Sequence, residues 1–297
     1  MKRTLVSFNW AMQGILREKA NFDILSGFFS ELLGRKVEVQ DLLESESNPD
    51  SPDDKTNRLD IKAKIDDGEI VIFELQVGDQ NDFFHRILYG SSKAVAEQLH
   101  KGDDYGKIRK VYSVVIVYFE LGKGSDYIYH GVTDFKGVHN NETLLLSKKE
   151  ITYLPHPTER EYSAGVLFPE YYIIYPERFD GRIDNKFDEW VSVFKNSEVE
   201  STFTAAGIQE AGEALDLRKM NEWERVNYEA FMKVVRVRNS EINTALWKGE
   251  QKGLADGERK GRAEALIEVA KNLKSGGMGV NDIAKATGLT ADEILRI

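Results

Sequence analysis

Apolar residues along the first stretch of the chain, residues 8–34, recur mostly three or four apart: Trp10, Ile15, Phe22, Ile24, Leu25, Phe28, Phe29, Leu32 and Leu33. That spacing predicts an amphipathic helix, and Gly34 is suited to end it. Residues 37–43 alternate and predict a strand. A polar stretch containing Glu44, Glu46, Pro49 and Pro52 follows and reads as a loop. Residues 58–65 alternate strictly, and residues 70–77 are almost continuously apolar. Asp66, Asp67 and Gly68 stand between them, a hairpin signal. Helical spacing returns over 83–99 through Phe84, Ile87, Leu88, Ala94, Val95 and Leu99. Residues 111–119 form an apolar run suited to a strand buried on both faces. Another strand is expected over 126–135. The order helix, three strands, helix, strand is an α/β pattern with a mixed sheet.

Beyond about residue 145 the pattern weakens. Pro155, Pro157, Pro169 and Pro176 punctuate a stretch dense in tyrosine, and helices are expected around 187–194 and 215–237. Gly249, Gly253, Gly257 and Gly261 then recur every fourth residue, along one helical stripe. Glycine costs about 1 kcal/mol per helical position relative to alanine. A repeated stripe therefore implies either close approach of another helix or a marginal segment. Residues 280–297 read as two short helices around Gly288. The expected organisation is a core over 1–150, a loop-rich and helical extension packed on it over 151–239, a glycine-striped charged helix over 240–275, and a small helical tail over 276–297.

The 297-residue length exceeds what one ordinary core needs. No apolar run approaches the roughly 20 residues that span a bilayer, so no membrane partner is expected. The start is basic but builds no apolar stretch of the signal-peptide kind. The absence of cysteine excludes disulfides and thiolate zinc sites and fits a reducing, cytoplasmic setting. The net charge of −10 weighs against a protein that coats itself in nucleic acid through a whole-surface field. It leaves room for a local basic groove and for carboxylates that hold a cation.

The hairpin decides which side chains meet. A two-residue turn at Asp67 and Gly68 would set Asp60 opposite Leu75 and mix the faces of the strands. A three-residue turn of Asp66, Asp67 and left-handed Gly68 sets Ile65 opposite Glu69. Leu59, Ile61 and Ala63 then meet Leu75, Phe73 and Val71, and Asp60 meets Glu74. Register follows the burial of a consistent apolar face, which selects the second turn. Two carboxylates directly opposite destabilise a sheet unless a cation sits between them. Oxygen donors of this kind suit Mg²⁺ or Mn²⁺. An Asp and a Glu on a hairpin are also what a solvated face looks like, so spacing alone leaves both readings open.

Glu44 to Asn48, Asp54 to Asp60, Asp67 with Gly68, Ile72 to Gln76, and Phe84, His85, Arg86 and Tyr89 occur in an order that resembles the recombination-promoting nuclease / putative transposase family, a bacterial branch of the PD-(D/E)XK nuclease superfamily. The resemblance runs over roughly residues 8–150. It extends to the glycine repeat of 249–261 and to Asp282–Thr290. It implies a restriction-endonuclease-like αβββαβ core with a helical C-terminal extension. It implies Asp60 and Glu74 as metal ligands, with the backbone carbonyl of Leu75 as a third. It puts Gln76 where the superfamily usually carries lysine. Glutamine brings no charge, but it can orient a water or phosphate. Lys62, two residues after Asp60 on the same expected face, is the candidate for the missing cation. Asn9 and Gln13 stand where an acidic residue and a lysine are expected.

Arg86, Tyr89 and Lys93 lie on one stripe of the 83–99 helix and are candidates for DNA contact, with a surface Arg beside a packed Tyr as the plainer reading. Lys107, Arg109 and Lys110 form a basic step before the apolar run. Glu44 and Glu46 are candidates for a further metal contact. The five histidines show no zinc spacing. The tail has the outline of a helix-turn-helix, but Lys285 and Arg296 supply little charge for DNA, which favours an oligomerising or accessory role. The expected activity is a Mg²⁺-dependent DNA endonuclease, working as a homodimer or higher homo-oligomer and linked to recombination or mobile elements. The alternative is a nuclease-fold module that binds DNA or protein without cutting.

Overall fold

The computed structural model describes residues 10–11, 16, 18–43, 61–76, 81–154, 157–158, 160–216 and 219–297. They divide into two compact units, Met1–Tyr228 and Glu229–Ile297.

The first unit is built on a mixed sheet. Its strands are β1 (Val39–Leu43), β2 (Ile61–Ile65), β3 (Glu69–Gln76), β4 (Val111–Val117), β5 (Ile128–Gly131) and β6 (Glu170–Ile174), in the spatial order β1-β2-β3-β4-β6-β5. β1, β2 and β3 pair antiparallel, β4 and β6 join in parallel, and β5 closes the edge antiparallel to β6. Before β1 stands helix α1 (Phe22–Leu33), and between β3 and β4 stands α2 (Phe83–Ala96). With β1 to β4 these give the αβββαβ order.

Trp10 and Ala11 are helical, and α1 starts at Phe22 after a 3₁₀ turn at Lys19–Asn21, so the stretch 8–34 is not one continuous helix as its apolar spacing predicts. The polar run Arg17, Glu18 and Lys19 interrupts the apolar stripe there. Gly34 ends α1 with φ 64°. The hairpin takes the three-residue turn. Ile65 pairs with Glu69, Ala63 with Val71 and Ile61 with Phe73. Gly68 has φ 94°, and its N–H donates to the Ile65 carbonyl at 3.0 Å.

Burial explains why the central strands read as apolar. One sheet face is covered by α1 and by α3 (Lys186–Asn196), whose aromatics interlock. The Phe28 ring lies 5.1 Å from Phe73, 5.6 Å from Trp190 and 5.3 Å from Phe194. The other face is covered by α2. Its Ala94 and Val95 pack on Ile70, Ile72 and Val111, and its Phe83 and Ile87 on Val115, Val117 and Ile173. β4 is therefore buried along its whole length.

β6 lies in the tyrosine-rich stretch that the sequence reading gave only loops and helices. It is five residues long, starts next to Pro169 and ends before Pro176. It inserts between β4 and β5 out of chain order, so chain after residue 150 completes the sheet. Helix α4 (Ile208–Ala214) stops before residue 215, and α5 (Glu222–Ser275) begins separately. Asn221 sets that start. Its Oδ1 accepts from the Glu224 N–H at 2.9 Å, and the Glu224 carboxylate accepts from the Asn221 N–H at 2.8 Å.

In the second unit, α5 supplies most of the residues. α6 (Val280–Thr287) and α7 (Ala291–Arg296) close on its end through Ala270, Ile283 and Ile294. Gly288, with φ 74°, makes the turn between the two short helices. A Cβ added at Gly249, Gly253, Gly257 or Gly261 would meet nothing within 4 Å. Among the described residues no helix is long and apolar enough to cross a membrane.

Candidate active site

Glu74 sits near the C-terminal end of β3. Strand alternation puts its side chain on the face of Ile70 and Ile72, toward α2, and its ladder partner on β4 is Val115. The side chain is buried, at 5% exposure. A carboxylate taken this far out of water needs a compensating charge or donor. Leu75 is buried on the opposite face. Gln76, the last residue of β3, is half-buried, and its carbonyl accepts from the Tyr118 N–H at 3.0 Å.

Asp60 lies outside the described residues, as do Asn9, Gln13, Glu44, Glu46, Arg58, Leu59 and Val77. The ladder is described up to Ile61 opposite Phe73, one step short of that position.

Lys62 pairs with Ile72 across the hairpin, so it stands diagonally from Glu74 on the same face. It is buried, at 8% exposure. Its ammonium is in an ion pair with Glu97, the residue that ends α2. The contact draws Lys62 toward the C-terminal end of α2. Sequence spacing gave no sign of Glu97, because the pairing spans 35 residues.

Arg86, Tyr89 and Lys93 do share a stripe of α2, and it flanks the buried one made by Phe83, Ile87, Gly90, Ser91 and Ala94. Tyr89 is exposed, and Arg86 and Lys93 are half-buried. The basic step before β4 is already engaged. Lys107 pairs with Asp103, an Arg109 N–H donates to the Gly106 carbonyl at 3.0 Å, and Lys110 meets Glu170 at 2.6 Å. His130 also bonds Glu170, at 2.6 Å. Burial works to raise the Glu170 pKa, but Lys110, Tyr172 and His130 outweigh it and hold the carboxyl below its ordinary value.

Glu69 begins β3 and faces α1. Arg35 bridges it to Asp66, and the Tyr112 hydroxyl donates to it at 3.3 Å. Burial first, and then the nearby Glu69 charge, push the Tyr112 hydroxyl up to about 12. This network ties the hairpin turn to the end of α1 and fixes the strand that carries Glu74.

Among the described residues no group of three or more His, Cys, Asp or Glu side chains is placed to hold a metal ion. A site for Mg²⁺ needs only one or two carboxylates, with water and phosphate filling the other positions. The donor chemistry at the end of β3 is oxygen alone, which fits a hard divalent cation.

Comparison with curated proteins and with solved structures gives no significant match. A family model described as PD-(D/E)XK nuclease family transposase matches residues 8–245, a span that takes in the whole sheet and both helices that cover the hairpin. The chain belongs to the PD-(D/E)XK nuclease family transposases.

Proposed function

We propose that the protein is a metal-dependent endodeoxyribonuclease with Asp60 and Glu74 as the ligands of Mg²⁺ or Mn²⁺, and with the Leu75 carbonyl as a third donor. The observation that carries this reading is the hairpin register. Ile65 opposite Glu69 and Ile61 opposite Phe73 is the register for which the sequence expects Asp60 to meet Glu74. Asp60 and Glu74 would hold the ion, which would supply Lewis-acid polarisation of the scissile phosphate and lower the pKa of water there. Glu74 is held rigidly by β4 on one side and α2 above, so its carboxylate needs little reorganisation. Gln76 orients the phosphate or the attacking water through its amide. Arg86, Tyr89 and Lys93 contact the DNA backbone along the flank of α2.

Asp60→Ala or Glu74→Ala should each lower metal-dependent cleavage on the order of 100-fold or more. Circular dichroism should be unchanged. Undiminished cutting by Glu74→Ala removes the reading. Lys62 serves as the site's cation only if its ammonium leaves Glu97. Lys62→Ala should then slow cleavage while Glu97→Gln does not, and equal rates for Lys62→Ala and the unmodified protein exclude the role.

The pairing of Lys62 with Glu97, together with Gln76 in the usual lysine position, favours a second reading: a nuclease fold that binds DNA or protein without cutting. Mn²⁺ titration separates the two. Saturable binding with thermal stabilisation supports the enzyme, and neither heat nor stabilisation supports the module.

Cutting both strands of a duplex normally takes two active sites, and we place the contact between copies on α5. Leu246, Trp247 and Leu254 are exposed on the turns of α5 that carry the open glycine stripe. Exposed apolar side chains grouped on one element mark interaction surfaces.

A further inference from the structure

A cleft of about 920 Å³ opens at the end of the sheet away from Glu74, where β3, β4 and β6 begin. Glu69 lines it, five residues before Glu74 on β3, so the two lie roughly 16 Å apart along the strand. Its volume is that of a ligand site, on the order of 300–1,000 Å³. Two pairs in the floor neutralise each other, Arg35 with Glu69 and Lys110 with Glu170, and Arg109 and Arg160 stand there with Asp67, Asp104 and Glu150. The rim is aromatic and open, with Tyr105 at 80%, Tyr153 at 51% and Phe168 at 41% exposure. Tyr153 packs against the 105–107 turn. A Cβ at Gly106 would come within 2.6 Å of its ring, so only glycine allows that seat.

A second depression, about 360 Å³, adjoins the cleft and shares Asp67 and Arg109 with it. Four cations line it, but Lys62 pairs with Glu97 and Lys107 with Asp103, which leaves Lys64 and Arg109 against Asp67. On a chain of net charge −10 this is a small positive excess at one place. An aromatic rim that continues into a cationic groove is the arrangement that holds single-stranded nucleic acid. Rings stack on bases whatever their identity, and cations follow the phosphates.

We propose that the cleft and the depression beside it bind an unpaired nucleotide in a single-stranded stretch of DNA, its base against Tyr105 and Phe168 and its phosphate at Lys64 and Arg109. The proposal rests on the reading of the chain as a DNA enzyme. It adds a second site, separate from the carboxylates, that recognises a flap, gap or melted end.

The test is fluorescence anisotropy with a short labelled oligo-dT strand and a blunt duplex, using the full chain in EDTA so that no cutting occurs. The expected result is saturable oligo-dT binding that the double variant Tyr105→Ala/Phe168→Ala weakens roughly tenfold, with duplex binding and circular dichroism unchanged. Lys64→Gln should lower the salt slope for oligo-dT by about 0.7, the value of one single-strand phosphate contact. Glu74→Ala should bind oligo-dT normally. Absence of saturable oligo-dT binding overturns the proposal, as does equal binding by the double variant. The two readings fail separately. Oligo-dT binding without Mn²⁺-dependent cutting removes the nuclease and keeps the site, and cutting without rim-dependent binding does the reverse.

Discussion

Single side chains carry the sharpest consequences. Phe28 is fully buried and touches Phe29, Phe73, Phe187, Trp190 and Phe194, so it is the joint between α1, α3 and β3. Phe28→Ala should cost about 3–5 kcal/mol in denaturant unfolding. Glu170 gives a pH-dependent term. Its folded pKa is lowered, so its contribution is full above the ordinary carboxyl value of 4.5 and is lost as pH falls below that, through the folded value. Lys110→Met removes its main partner. The variant should lose about 1–3 kcal/mol at neutral pH and show a shallower loss of stability between neutral and acid pH than the unmodified protein. Identical slopes would mean that Glu170 is not held by Lys110. At this scale the sequence was legible in part. The strand and register that carry Glu74 were legible, whereas the contacts of Glu97, Arg35 and Glu170 were not, because their partners lie far along the chain.

Elements meet where small residues let them. A Cβ at Gly27 of α1 would fall 2.2 Å from the Ala206 carbonyl oxygen, just before α4. Gly27→Ala therefore forces backbone apart and should cost about 1–3 kcal/mol, read as a lower Tm. The strands up to β4 and helix α2 were legible from alternation, helical spacing or a continuous apolar run, and the hairpin because only one register buries a consistent face. β6 was hidden. Five residues bracketed by prolines show too little period to separate from loop, and the strand owes its place to β4 and β5, which are distant in sequence. The split between α4 and α5 was also hidden, since a cap at Asn221 decides it and no change in apolar spacing marks it.

For the whole molecule, the proposed function puts the chemistry on the sheet-based unit and the contact between copies on the helical unit. Replacing Gly249, Gly253, Gly257 and Gly261 together by alanine should raise the helicity of α5, since each change gains about 1 kcal/mol of helix propensity and no neighbour lies within 4 Å. If a second copy packs on this stripe, the same variant should shift sedimentation toward monomer. Unchanged mass with raised helicity would place the contact elsewhere. The central claim concerns two acidic side chains facing each other across one hairpin, and a Mn²⁺-soaked crystal tests it most directly. The account predicts an anomalous peak about 2.0–2.2 Å from carboxylate oxygens of both Asp60 and Glu74. Side chains on opposite faces of the sheet, or no peak between them at saturating Mn²⁺, would contradict it.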